Sequence, residues 1–221
     1  MRNLVLACSV FLVTFMPFYS AAAAALEDKD YTVLSPEMGT DSKHKIEVAE
    51  FFWYRCPHCF QLEPGLNAWL KKAPRDVAIR RIPAVLNASW TSLAKAYYAM
   101  EALGVVNKYH DDLFNAIHID DLDVSQDANL FDWAAKVGMN RQAFINAFQS
   151  FGVQSKVFRA NQLTRDAKIT GVPSFVVDGK YVTSESLTGS EAALFSTLDA
   201  LIDKVRKERA HAHAHAANHK K

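Results

Sequence analysis

The sequence predicts an α/β fold, and three observations predict it. A β-rich apolar run at residues 45–52 leads directly into a helical run that begins at Pro57. A long middle stretch, residues 93–169, carries apolar side chains at helical spacing. Asp178-Gly179 stands between two short apolar runs, a strong hairpin signal. The resulting order is strand, helix, strand, several helices, hairpin, helix, with no internal repeat.

Each element has its own local reason. Residues 31–34 form a short strand after a polar, turn-rich lead. Residues 45–52 form a strand through Ile46, Val48, Phe51 and Phe52. Pro57 suits a first helical turn, where its missing N–H has no partner to lose. Leu62, Leu66, Trp69 and Leu70 follow at helical spacing, and Pro64 should kink this helix. Residues 77–83 are a further strand. Leu93, Ala96, Tyr97, Met100 and Leu103 mark a helix ended by Gly104. Tyr109, Leu113 and Ile117 mark the next. Ser125 is expected to cap a helix through Leu130, Ala134 and Val137, and Asn140 one through Phe144, Ala147 and Phe151. Another runs over residues 153–169. Strands at 174–177 and 181–183 flank the Asp-Gly turn. A last helix carries Leu194, Leu198, Leu201 and Val205.

The two ends of the chain read differently from the rest. Arg2, an apolar run from Leu4 to Phe18 and five alanines at 21–25 have the layout of a secretory signal peptide over residues 1–25. The run is short for a membrane-spanning helix, and Cys8 lies too early for a lipoprotein cysteine. At the other end, residues 210–221 alternate histidine with alanine and finish in lysine, which predicts a disordered or frayed, solvated tail with no metal site assigned.

The 221 residues, 50% of them hydrophobic, suffice for one well-buried core but not two large domains. Removing residues 1–25 takes away only Arg2 among the charges, so 25 basic residues become 24, equal to the 24 acidic ones. Such neutrality gives no support for binding nucleic acid.

It also leaves Cys56 and Cys59 as the only cysteines. A bridge that closes so small a loop adds little stability, so the pair points to chemistry. Disulfide exchange needs an exposed thiol of low pKa and a second thiol near enough to resolve the mixed disulfide. At a helix start, Cys56 meets unpaired backbone N–H groups and the positive end of the dipole. Cys59, one turn on, faces inward as the resolving thiol. Pro57-His58 sets direction, because an imidazole beside the Cys56 thiolate stabilises the reduced form and makes the disulfide more oxidising. Structural zinc wants four ligands; there is no second cysteine pair, and His44, His110 and His118 show no ligand spacing.

Residues 51–59, Phe-Phe-Trp-Tyr-Arg-Cys-Pro-His-Cys, together with residues 170–175, Thr-Gly-Val-Pro-Ser-Phe, resemble the DsbA family of thiol:disulfide interchange proteins. The resemblance spans roughly residues 31–206. It implies a thioredoxin-like fold with an inserted all-helical domain: residues 26–85 and 153–209 as the two thioredoxin-like parts, and 86–152 as the insertion. It implies a cis Val172-Pro173 bond beside the disulfide, where neighbouring backbone pairs with extended substrate. Glu50 matches the family's buried acid, expected to take up a proton as Cys59 reacts. Its family partner is a lysine; Arg80-Arg81 stand there instead, which puts a shared relay in doubt. Gln61, Leu62 and Leu187 match groove positions, and Trp53 and Tyr54 are expected to pack around the motif.

The function this implies is oxidation of newly exported proteins in the periplasm by a monomer. No cofactor beyond the Cys56–Cys59 disulfide is required. Reoxidation would fall to a quinone-linked membrane oxidase of the DsbB type. A reductase or isomerase is the rival within redox chemistry. A peptide-binding chaperone with incidental cysteines is the rival outside it.

Overall fold

Seven consecutive buried residues, Ile46–Phe52, form the strand around which the rest of the chain is arranged. In this computed structural model, residues 27–42 and 44–218 are described. The signal-peptide reading of residues 1–25 lies outside them.

The first strand, β1 (Thr32–Val33), is an edge. The central strand is β2 (Ile46–Phe52), and β3 (Val77–Pro83) pairs with it in parallel. The hairpin of β4 (Ser174–Val177) and β5 (Tyr181–Thr183) completes a five-stranded sheet of order β1-β5-β4-β2-β3, antiparallel except for the β2–β3 pair. At the hairpin, Asp178 and Gly179 both have positive φ, 53° and 71°, as its two-residue turn demands.

Of the eight α-helices among the described residues, seven are full helices: α1 (Pro57–Leu70), α2 (Thr91–Ala102), α3 (Val106–His118), α4 (Asp127–Lys136), α5 (Arg141–Gln149), α6 (Phe151–Asp166) and α8 (Glu191–Asn218). The eighth, α7 (Glu185–Thr188), is a single turn that sequence reading did not predict. Two cores result. Ile46, Val48, Leu62, Leu66, Phe175 and the α8 leucines pack on one side of the sheet. Ala49, Phe51 and Phe52 pack with α2–α6 on the other.

Three local expectations are corrected. Ser125 does not cap α4: Asp123 captures its backbone N–H at 2.9 Å, and the helix starts at Asp127. The Asn140-capped helix stops at Gln149, short of Phe151, because Ser150 takes an extended ψ of 150° and accepts from Val153 N to start α6. Phe151, then, is 83% exposed rather than buried. The histidine–alanine tail continues α8 to Asn218, consistent with the high helix propensity of its alanines.

Candidate active site

The dithiol sits where β2 ends and α1 begins. Cys56 is the N-cap of α1, in extended conformation, with Pro57 at the first helical position. Its Sγ accepts from Cys59 N at 3.4 Å, so an otherwise unpaired helix-start N–H points at the sulfur. The same Sγ lies 3.3 Å from the Val172 carbonyl oxygen, to which the thiol donates. The Val172-Pro173 bond is cis, as the resemblance implied.

The two thiols are driven apart in acidity. The Cys56 pKa falls from 9.0 to about 6. The Cys59 thiol hydrogen bond is the largest cause; burial opposes it, and the backbone N–H groups of Cys59 and His58 then add to it. The His58 imidazole is the smallest of these causes, and the side chain is exposed. The chain therefore lowers this pKa mainly through the partner thiol and the helix start, with less from the imidazole than the Pro57-His58 motif suggested. Cys59 is pushed well above an ordinary thiol, first by burial, then by the hydrogen bond to the Cys56 sulfur and the charge on it.

Beneath the pair lies a buried ionic network. Register places Arg81 of β3 directly beside Glu50 of β2. Arg81 Nε donates to Glu50 Oε2 at 3.1 Å, and Arg81 Nη2 donates to Glu63 Oε2 at 3.1 Å and Asn67 Oδ1 at 3.2 Å. Glu50 is 1% exposed, and burial together with the Glu63 charge raises its pKa to about 8 despite Arg81. Arg81 stays charged, so it cannot pass a proton as a lysine would.

Glu63 was missed by sequence reading. The signal was available: it lies four residues after Cys59, on the face of α1 that buries Cys59, Leu62 and Leu66. Glu63, His110 and Asp111 offer ligand atoms within 4.8 Å of one another. Both Glu63 oxygens are taken by Arg81 and His110, and His110 Nδ1 by Tyr54, so these side chains form a hydrogen-bond network beside a cation, and no metal is assigned to them.

Aromatic side chains pack around the motif as expected. Trp53 stacks on Trp90 with ring centroids 4.0 Å apart. Tyr54 is buried, and its carbonyl accepts from His118 Nε2 at 2.8 Å. A cleft of about 740 Å³ opens beside the sulfur, lined by His58, Thr170, Val172, Pro173, Ser184 and Leu187 among others. Of the predicted groove residues, Val172 and Leu187 line it. The structure does not bring Gln61 or Leu62 there: Gln61 is exposed on α1, and Leu62 is 2% exposed in the α8-side core.

Residues 47–196 match the family described as DSBA-like thioredoxin domain. The chain belongs to this family. The thiol:disulfide interchange protein DsbA of Bordetella parapertussis is 38% identical over 190 residues, covering 86% of this chain and 90% of that protein. Its counterpart in Pseudomonas syringae is 34% identical over 207 residues, covering 93% and 97%. The crystal structure of Pseudomonas aeruginosa DsbA superposes with a TM-score of 0.80 at 31% identity, over 84% of this chain and 97% of that one. This DsbA-family chain is thus a protein disulfide oxidoreductase with a thioredoxin-like fold and a Cys56–Cys59 pair. Among the described residues, no helix is long and apolar enough to cross a membrane.

Proposed function

We propose that the chain oxidises dithiols of newly exported proteins in the periplasm, acting as a monomer with no cofactor beyond its own disulfide. The observation that carries this reading is the pair's asymmetry. Cys56, with a pKa of about 6, is the better leaving group, and Cys59 is held protonated. In the forward reaction a substrate thiolate attacks Cys56 Sγ, breaks the Cys56–Cys59 bond and forms a mixed disulfide. Cys59 leaves as a thiolate and takes a proton. Glu50, protonated near neutral pH, is the group proposed to deliver it and to take it back on reoxidation. The substrate's second thiolate then attacks its own bridged sulfur and expels Cys56 as a stable thiolate. Two electrons have moved to the enzyme, and the substrate leaves with a disulfide.

The cleft beside the Val172-Pro173 backbone supports binding of an extended segment next to Cys56. A quinone-linked membrane oxidase of the DsbB type is the proposed reoxidant. Equilibrating the disulfide with reduced and oxidised glutathione tests the direction. An oxidase gives a potential well above that of glutathione, whereas a potential below it makes the chain a reductase. Cys59→Ser, its Cys56 first converted to a mixed disulfide with thionitrobenzoate, should be attacked by a single-thiol peptide, release thionitrobenzoate and hold the peptide in a mixed disulfide at Cys56. A variant that traps nothing while still protecting clients from aggregation would point to the chaperone reading.

A further inference from the structure

One buried histidine has no part in the chemistry above. His110 of α3 is 3% exposed and lies in the core beside Phe52 and Phe114. Its Nδ1 is 2.7 Å from the Tyr54 hydroxyl, and its Nε2 is 3.2 Å from Glu63 Oε1. Through Glu63 and Arg81 it is joined to Glu50 by an unbroken line of hydrogen bonds.

The charges along this line do not balance by themselves. Arg81 carries one positive charge, and Glu50 and Glu63 carry two carboxyls. A second uncompensated anion in this interior is costly, so the pair holds one proton between them near neutral pH. The donors decide which carboxyl holds it. Burial keeps the Tyr54 hydroxyl protonated, and an O–H beside an imidazole nitrogen donates to it. His110 Nδ1 is then an acceptor, and the ring's hydrogen sits on Nε2, facing Glu63. This tautomer follows from the network of partners. Burial also disfavours the imidazolium. Glu63 thus receives two side-chain donors, His110 on Oε1 and Arg81 on Oε2, while Arg81 is the side-chain donor to Glu50. The other charged or titratable groups around the line are Tyr97 and Glu101 from α2 and Asp111 from α3. Asp111 is exposed and accepts from Asn67 Nδ2 at 3.4 Å.

We propose that His110 is a positioning residue: by donating from Nε2 to Glu63 it keeps that carboxyl anionic and leaves the shared proton on Glu50, the acid whose field reaches Cys59. The inference builds on the reading of Glu50 as the proton donor to Cys59. It adds the reason the proton waits on that carboxyl and not on its neighbour four residues beyond the dithiol.

The test follows the carboxyl carbons of Glu50 and Glu63 by 13C NMR across pH in the reduced protein, alongside the glutathione equilibrium over the same range. His110→Leu removes the donor, and His110→Gln restores an amide N–H at a similar reach. The expected result is a Glu50 midpoint that falls by about one unit in His110→Leu, a tenfold loss of proton affinity. Glu63 should rise in the same variant, and both should return toward wild type in His110→Gln. Tyr54→Phe, which frees the tautomer without opening a cavity, should move Glu50 the same way by less, and it serves if His110→Leu does not fold. An unchanged Glu50 midpoint in a folded His110→Leu or Tyr54→Phe protein overturns the inference. Glu50→Gln separates the two claims. If it leaves the pH dependence of the glutathione equilibrium unchanged, Glu50 does not serve Cys59, while the carboxyl titration still reports where the proton resides.

Discussion

Replacing Cys59 with alanine isolates the main cause of the low Cys56 pKa. In the reduced pair that pKa falls from 9.0 to about 6, and the Cys59 thiol is the first of its causes. A hydrogen bond to a charged group contributes ~1.5–3 kcal/mol, equivalent to about one to two pKa units. Cys56 is only partly screened from water, which recovers some of the loss, so the lower end applies and the variant should titrate at about 7 to 7.5. At pH 6 the thiolate fraction then drops from about a half to about a tenth or less. His58→Ala should shift the midpoint less, because the exposed imidazole is the smallest of the causes. The assay is the pH dependence of iodoacetamide alkylation, checked by thiolate absorbance. A Cys59→Ala protein that still titrates at about 6, or a His58→Ala shift larger than that of Cys59→Ala, would refute the assignment. The same numbers set the redox consequence. At pH 7 the ionisation of Cys56 favours the folded reduced form by at most about 1.4 kcal/mol, and by roughly half that once solvent screening of this half-buried sulfur is counted, or on the order of 15 mV for two electrons. Because the folded pKa is depressed, this stabilisation is complete above about pH 9 and is lost as pH falls through about 6.

Two further outcomes concern stability. The Glu50 pKa is raised from 4.5 to about 8, so the stability it contributes is complete below pH 4.5 and is lost as pH rises through about 8. Glu50→Gln, which never ionises, should therefore stabilise the reduced protein at pH 8 by on the order of 1–4 kcal/mol and hardly at all at pH 4.5. Urea unfolding at both values checks this, and an equal gain at the two would count against it. Gly179→Ala should cost on the order of 2 kcal/mol or more, because its φ is 71° and an added Cβ would sit 2.0 Å from the Met38 carbonyl oxygen. Thermal unfolding measures that loss, and an unchanged midpoint would mean the turn relaxes freely.

Where local chemistry decided an outcome, the sequence was legible. The run of Ile46 to Phe52, Pro57 at a helix start and the Asp178-Gly179 turn each carry their conformation in neighbouring residues, and each element is found where it was expected. Where two local signals competed, reading failed. Ser125 had capping chemistry, but Asp123 claimed its backbone first. Ser150 broke a helix that apolar spacing alone would have run to Phe151. At the site, Glu50 was found through its motif. Glu63 and His110 were not, because an acid on a helix face or a histidine in an apolar helix acquires meaning only from what packs against it.

The amino-acid order alone determined that two thiols one helical turn apart would meet, with the first at a helix start, since spacing and helix geometry suffice for both. Folding alone decided how their protons are shared out. Arg81 reaches Glu50 through strand register and Glu63 through packing of α1 on the sheet, and His110 reaches Glu63 because α3 packs against α1. Those contacts join residues 18 to 47 positions apart along the chain. Electrostatic effects of that kind depend on burial and distance, which no local pattern encodes.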